Sequence, residues 1–192
     1  MKSLTLLYIL FLITSFLNAE TYEFSSSKWG MSMEEAREVL GDKYDLQPVD
    51  ESGNIKFFAT IAGEEVTGVL YFEDYGLAMV ALIFTDDVSE NDFYSWSEAK
   101  RCYNTLATTL EKKYGVPHVS EYFNDPYYEG DGYELSALEN GKGNYTRIWP
   151  KEGDSKNITL MIMGSGSVGI GYMSKTLQIQ NKNTNSESLN EL

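Results

Sequence analysis

Trp96, Ala99, Tyr103, Leu106 and Leu110 recur at helical spacing and form a single apolar stripe. A helix with one apolar face cannot hold itself together in water; its stability comes from packing that stripe on a flat apolar surface. Lys112 and Lys113 in the last turn oppose the helix dipole, and Gly115 and Pro117 stop the chain from continuing. The S-x-x-acid run from Ser89 to Asp92 predicts that the helix begins there. On both sides of this helix the chain changes to period-two patterns broken by glycine-rich turns, so the predicted partner surface is an antiparallel sheet.

A first, shorter helix is predicted after Trp29-Gly30, where Ser32 and Glu35 form a capping box, Ala36, Val39 and Leu40 recur at helical spacing and Gly41 ends the run. Strands are then expected at 43–49, 55–62, 66–72 and 77–84. The last is apolar on both faces and therefore central. In the third, Val66, Leu70 and Phe72 share a face. Beyond the long helix a second group is expected at about 118–123, 133–138, 144–149, 157–163 and 168–174. The fold class is α+β: two helix-plus-antiparallel-meander units packed as a helix/sheet sandwich, an order that suggests internal duplication. The halves run from about 20 to 88 and from 89 to 177. Residues 178–192 are polar and expected to be disordered.

Lys2, the apolar run from Leu4 to Leu17 and Ala19 before the polar turn at Glu20 read as a signal peptide cleaved near Ala19. The run is shorter than the roughly 20 residues that span a bilayer. The expected location is thus periplasmic or secreted, with no stable membrane insertion after cleavage. The formal net charge is −14. Such a chain repels phosphate backbones and anionic lipid surfaces, which argues against nucleic acid and favours cationic proteins, cations or neutral glycans. Cys102 is the only cysteine, so no intrachain disulfide forms and the core must supply the stability.

Several motifs imitate catalytic signatures. Gly164-Ser165-Gly166-Ser167-Val168-Gly169 matches the dinucleotide fingerprint, but an alternating strand follows it where a phosphate-binding helix would be needed. It reads as a hairpin turn, and Gly169 and Gly171 leave room on one strand face for a ring or a helix to approach. Ser97 and Lys100 match S-x-x-K, yet Lys175-Thr176-Leu177 breaks the companion motif. His118, the single histidine, has no acid placed to orient it. Cys102 reads as a small buried hydrophobe. Asn144-Tyr145-Thr146 and Asn157-Ile158-Thr159 fit the glycosylation pattern but fall in strands. No catalytic residue or cofactor is assigned.

The candidate contact surface lies within residues 122–134: Tyr122, Asp125, Tyr127, Tyr128, Glu129, Asp131 and Tyr133. Tyrosine beside Gly, Asn and Asp gives large contact area at low entropic cost, and tyrosine rings beside carboxylates also suit sugars. Asp125, Glu129 and Asp131 are oxygen donors for Ca²⁺, though their spacing misses the EF-hand pattern. A carboxylate-only hydrolase using pairs such as Asp86-Asp87 is a further alternative.

Trp29 to Glu35 ahead of a short helix, Lys113-Tyr114-Gly115-Val116-Pro117 closing a long one, and Trp149 near a late strand resemble a diffuse group of small exported bacterial proteins. Its helix-plus-sheet modules are similar to the β-lactamase-inhibitor-protein fold and to the small lipoprotein of the outer-membrane barrel-assembly machinery. That resemblance implies an α+β sandwich and a binding or envelope-assembly role toward another exported protein. It transfers no functional residue: this chain has neither a lipid-bearing cysteine nor disulfide pairs.

Overall fold

The computed structural model describes residues 24–61, 64–84, 95–150 and 156–174. The signal-peptide reading, the Ser89–Asp92 helix start, Asp86-Asp87 and the polar tail all lie outside these residues.

Helix α1 (Met33–Leu40) is closed by the expected box: the Ser32 side chain accepts from the Glu35 amide, and the Glu35 carboxylate accepts from the Ser32 amide at 2.8 Å. Four strands follow: β1 (Asp45–Val49), β2 (Ile55–Ile61), β3 (Glu64–Glu73) and β4 (Gly76–Phe84). Helix α2 (Trp96–Tyr114) then leads through β5 (His118–Phe123), a short helix α3 (Glu134–Glu139), β6 (Gly143–Pro150), β7 (Lys156–Ile162) and β8 (Val168–Ser174). All eight strands join one antiparallel sheet in the order β1-β2-β3-β4-β8-β7-β6-β5. The two meanders meet at β4 and β8, which places the doubly apolar β4 in the middle as its composition required.

The cap of the long helix is described, and one expectation is corrected. Helix α2 is capped by Ser95, whose side chain accepts from Glu98 while Glu98 reaches back, so the described helix begins at Trp96. Residues 133–138 do not form a strand: Glu134 to Glu139 make one and a half turns of helix, burying Glu134 and Ala137 on one side. Apolar Leu135, Ala137 and Leu138 mix the two periods over six residues, too short a window to separate them.

The register divides the sheet into two unlike faces. Ile55, Leu70, Val80, Tyr172, Ile158 and Trp149 pair in succession across it. Phe57, Gly68, Leu82, Ile170 and Leu160 form the next row. These residues pack into one core with Leu40, Ala99, Tyr103, Leu106 and Leu110, so both long helices lie on this face. Gly68 is required there, because a β-carbon would sit 2.0 Å from Cζ of the fully buried Phe57 ring. Among the described residues, no helix covers the opposite face.

Candidate functional site

The structure separates the predicted contact residues into exposed rings and engaged carboxylates. Tyr128 and Tyr133 are 65% and 64% exposed, and Tyr122 projects from β5 at 49%. Tyr127 is half-buried, with its amide donating to the Asn124 carbonyl, and Asp125 is exposed. Asp131 is committed to the backbone: its carboxylate accepts from the amides of Tyr128 at 3.0 Å and Tyr133 at 2.8 Å. Glu129 is held by Lys100 and accepts from the Tyr145 hydroxyl at 2.9 Å. Glu134, 4% exposed, accepts from the Gly130 amide. Asp131 and Glu129 therefore build the segment, and its exposed rings and Asp125 face outward. Among the described residues, no group of three or more His, Cys, Asp or Glu side chains converges to hold a metal.

The other singled-out residues also have structural partners. Lys100 points to Glu129, away from any serine-activating position, while the Ser97 hydroxyl lies 3.0 Å from that of Ser95. Gly164 to Ser167 form the β7–β8 turn, closed by Met163 donating to Ser167 and Gly166 donating to Met163, and Val168 and Gly169 already belong to β8. The Asn144 amide donates to the Ser120 hydroxyl at 2.8 Å and its oxygen accepts from Thr146. Trp149 is buried with its indole donating to the Gly115 carbonyl at 2.8 Å, tying β6 to the end of α2.

A second polar group joins helix to sheet and was not foreseen. Glu121 accepts from Arg147 at 2.7 Å and from the Tyr103 hydroxyl at 3.0 Å, while Arg147 also donates to Glu111. The guanidinium sits 5.4 Å from the centre of the Tyr103 ring. Burial, reinforced by the Glu121 charge, raises the pKa of Tyr103 and Tyr145 above the ordinary phenol value. Burial works to lower that of Arg147, but Glu121 outweighs it and the net direction is up. A charged strand residue opposite a helix tyrosine carries no periodic signal, because Glu121 and Arg147 occupy positions that alternation assigns to the core.

Two concave or open surfaces remain. One is a cleft of about 250 Å³ between α2 and the sheet, walled by Leu82, Phe84, Leu106, Ile170 and Tyr172, with half-buried Cys102 on the helix side. Glu64 is its one carboxylate, and His118 lies elsewhere, on β5.

The larger surface is the uncovered face of the sheet. Lys56, Val69, Ala81, Gly171, Thr159, Ile148 and His118 form one row across it. Phe58, Thr67, Ile83, Gly169, Met161, Thr146 and Ser120 form the next, and Tyr71, Met79, Met173 and Asn157 a partial third. On β4, β8, β7 and β6 these positions hold no charged side chain; the charges of this face, Asp45 beside Phe58, Lys56 and Glu65, stand on β1, β2 and β3. Phe58 and Tyr122 are each 49% exposed there, with Ile148 and Met161 at 37% and 36%. The room beside Gly171 stays open, with nothing within 4 Å of a built β-carbon, and Gly169 meets only Met163, Met161 and a strand carbonyl. The room expected there is present, and no ring or helix of the described residues fills it.

These features define a two-layer α+β protein with helices on one sheet face and a charge-poor second face. Neither a protein-family model, nor a curated protein, nor a solved structure matches the chain.

Proposed function

We propose that this chain is an exported, non-enzymatic binding protein that holds another exported or envelope protein against the open face of its sheet. The observation that carries the reading is the absence of charge from the β4, β8, β7 and β6 positions of that face, together with its exposed Phe58, Ile148, Met161 and Tyr122. Depletion of charged residues and enrichment of aromatic and methionine side chains is what distinguishes an interface centre from ordinary surface. Three methionines, Met79, Met161 and Met173, lie on the face, and flexible thioethers repack readily against a partner. The net charge of −14 favours a partner whose rim is cationic around an apolar centre.

Tyr122 belongs to both the predicted contact segment and the open face, because its register partner Asn144 lies on that side of β6. The exposed Tyr128 and Tyr133 rings belong to a segment that Glu129 ties to Lys100 of α2 and to Tyr145, on the helix side of the sheet. These rings support a second reading, in which the segment stacks on a neutral glycan.

The test is capture from an extract of exported proteins by wild-type chain and by Phe58→Asp and Met161→Asp. Both sites are substantially exposed, so each variant should keep its circular dichroism spectrum and lose the captured protein. Retention of the same partner by both folded variants would refute the face, and loss only in a Tyr128→Ala/Tyr133→Ala variant would move the site to the loop.

A further inference from the structure

The two edges of the sheet are unlike. Edge strand β1 carries Pro48, begins at Asp45 and has an irregular register against β2 between Leu46 and Val49. Proline, charge and bulges are the usual devices that keep an edge from pairing with another chain. Edge strand β5 has neither a proline nor a bulge, and only one charge, Glu121. Its sequence is His118-Val119-Ser120-Glu121-Tyr122-Phe123, with unbroken register along β6, and its one carboxylate is turned inward to Arg147 and Tyr103.

The hydrogen-bond phase identifies which backbone groups are free to pair. The Asn124 amide donates to the Lys142 carbonyl at 2.7 Å, continuing the β5–β6 ladder by one step. Bonding alternates along an antiparallel pair, so Tyr122, Ser120 and His118 also turn their amides and carbonyls toward β6. Val119, Glu121 and Phe123 turn theirs outward, at the end of the strand order.

We infer that β5 pairs antiparallel with β5 of a second copy of this chain, making one continuous sheet across a two-fold axis. A second copy suits this edge because the strand is complementary to itself. With Ser120 opposite Ser120 on the axis, Val119 bonds Glu121 of the other copy, and His118 faces Tyr122. This register keeps the two Glu121 carboxylates from standing directly opposite each other, which would be destabilising. It aligns the outward amides and carbonyls of both strands, and it joins the two open faces along their His118, Ser120 and Tyr122 edges. An isologous contact of this kind closes at two copies and leaves no free β5 edge.

The pairing is opposed by a net charge of −14 on each copy. The dimer is therefore expected to tighten with salt, by roughly tenfold between about 0.05 M and about 0.5 M, as the screening length falls to a few ångströms. Sedimentation of the mature chain, with reductant present to exclude a Cys102 crosslink, tests it. Wild type should show a reversible dimer at tens of micromolar. Val119→Pro removes an outward amide without touching the β6 ladder, and Val119→Glu sets a like charge opposite Glu121 of the other copy; both should sediment as monomers, whereas Val49→Lys on β1 should remain dimeric. A wild type that stays monomeric at high salt, or a dimer that survives both Val119 substitutions, would overturn the inference.

Discussion

At the residue scale, small geometric requirements decide more than hydrophobicity does. Gly68 faces the Phe57 ring so closely that alanine must displace a fully buried aromatic. Gly68→Ala should lower the unfolding free energy by about 2 kcal/mol in urea titration, within the usual range for overpacking a core. Asp131, read from the sequence as a contact residue or an oxygen donor for Ca²⁺, accepts from two backbone amides. Asp131→Ala should therefore loosen residues 128–133, seen as faster amide exchange, before it affects any partner. The buried tyrosines set an alkaline limit. An unfolded phenol loses its proton near pH 10. Tyr103, Tyr145 and Tyr172 hold theirs to higher pH, through burial first and then Glu121 or, for Tyr172, the neighbouring Tyr114. Their contribution is complete below about pH 10 and is lost as pH rises above it, because the unfolded state then releases protons that the native state retains. Urea midpoints at pH 9 and pH 11 should show that fall, and Tyr103→Phe should make it shallower.

At the element scale, what was legible in the sequence was whatever repeats with a period. The apolar stripe on α2 and the alternation of β2, β4, β5 and β8 located those elements within a residue or two. Capping was less decisive: the Ser89 to Asp92 run lies outside the described residues, and the described N-cap is Ser95. Ser95→Ala should cost about 1 kcal/mol, measurable as a lower urea midpoint. Helix α3 escaped because six residues contain too little periodicity to override the glycines on either side. The Glu121–Arg147–Tyr103 group escaped for a different reason: it depends on register between β5, β6 and α2, which no local pattern encodes. Arg147→Met should destabilise by about 2 kcal/mol, because Glu121 would keep only the tyrosine hydroxyl as a side-chain partner.

At the scale of the whole molecule, the two sheet faces differ in what covers them. The first is closed by α1 and α2 into a common core. The second is apolar enough to pack and charge-poor enough to dock, yet the described residues bring no helix to it. The sequence marked Tyr122 as a contact residue, but it could not show that Phe58, Ile148 and Met161, from distant segments, share its face. Only strand order and register bring them together. The most direct measurement is site-specific photo-crosslinking in the producing cell. A photoreactive side chain at position 161, on the open face, should yield a discrete adduct with another exported protein, and one at exposed position 108 on α2 should yield none. Adducts at 108 and none at 161 would contradict the account.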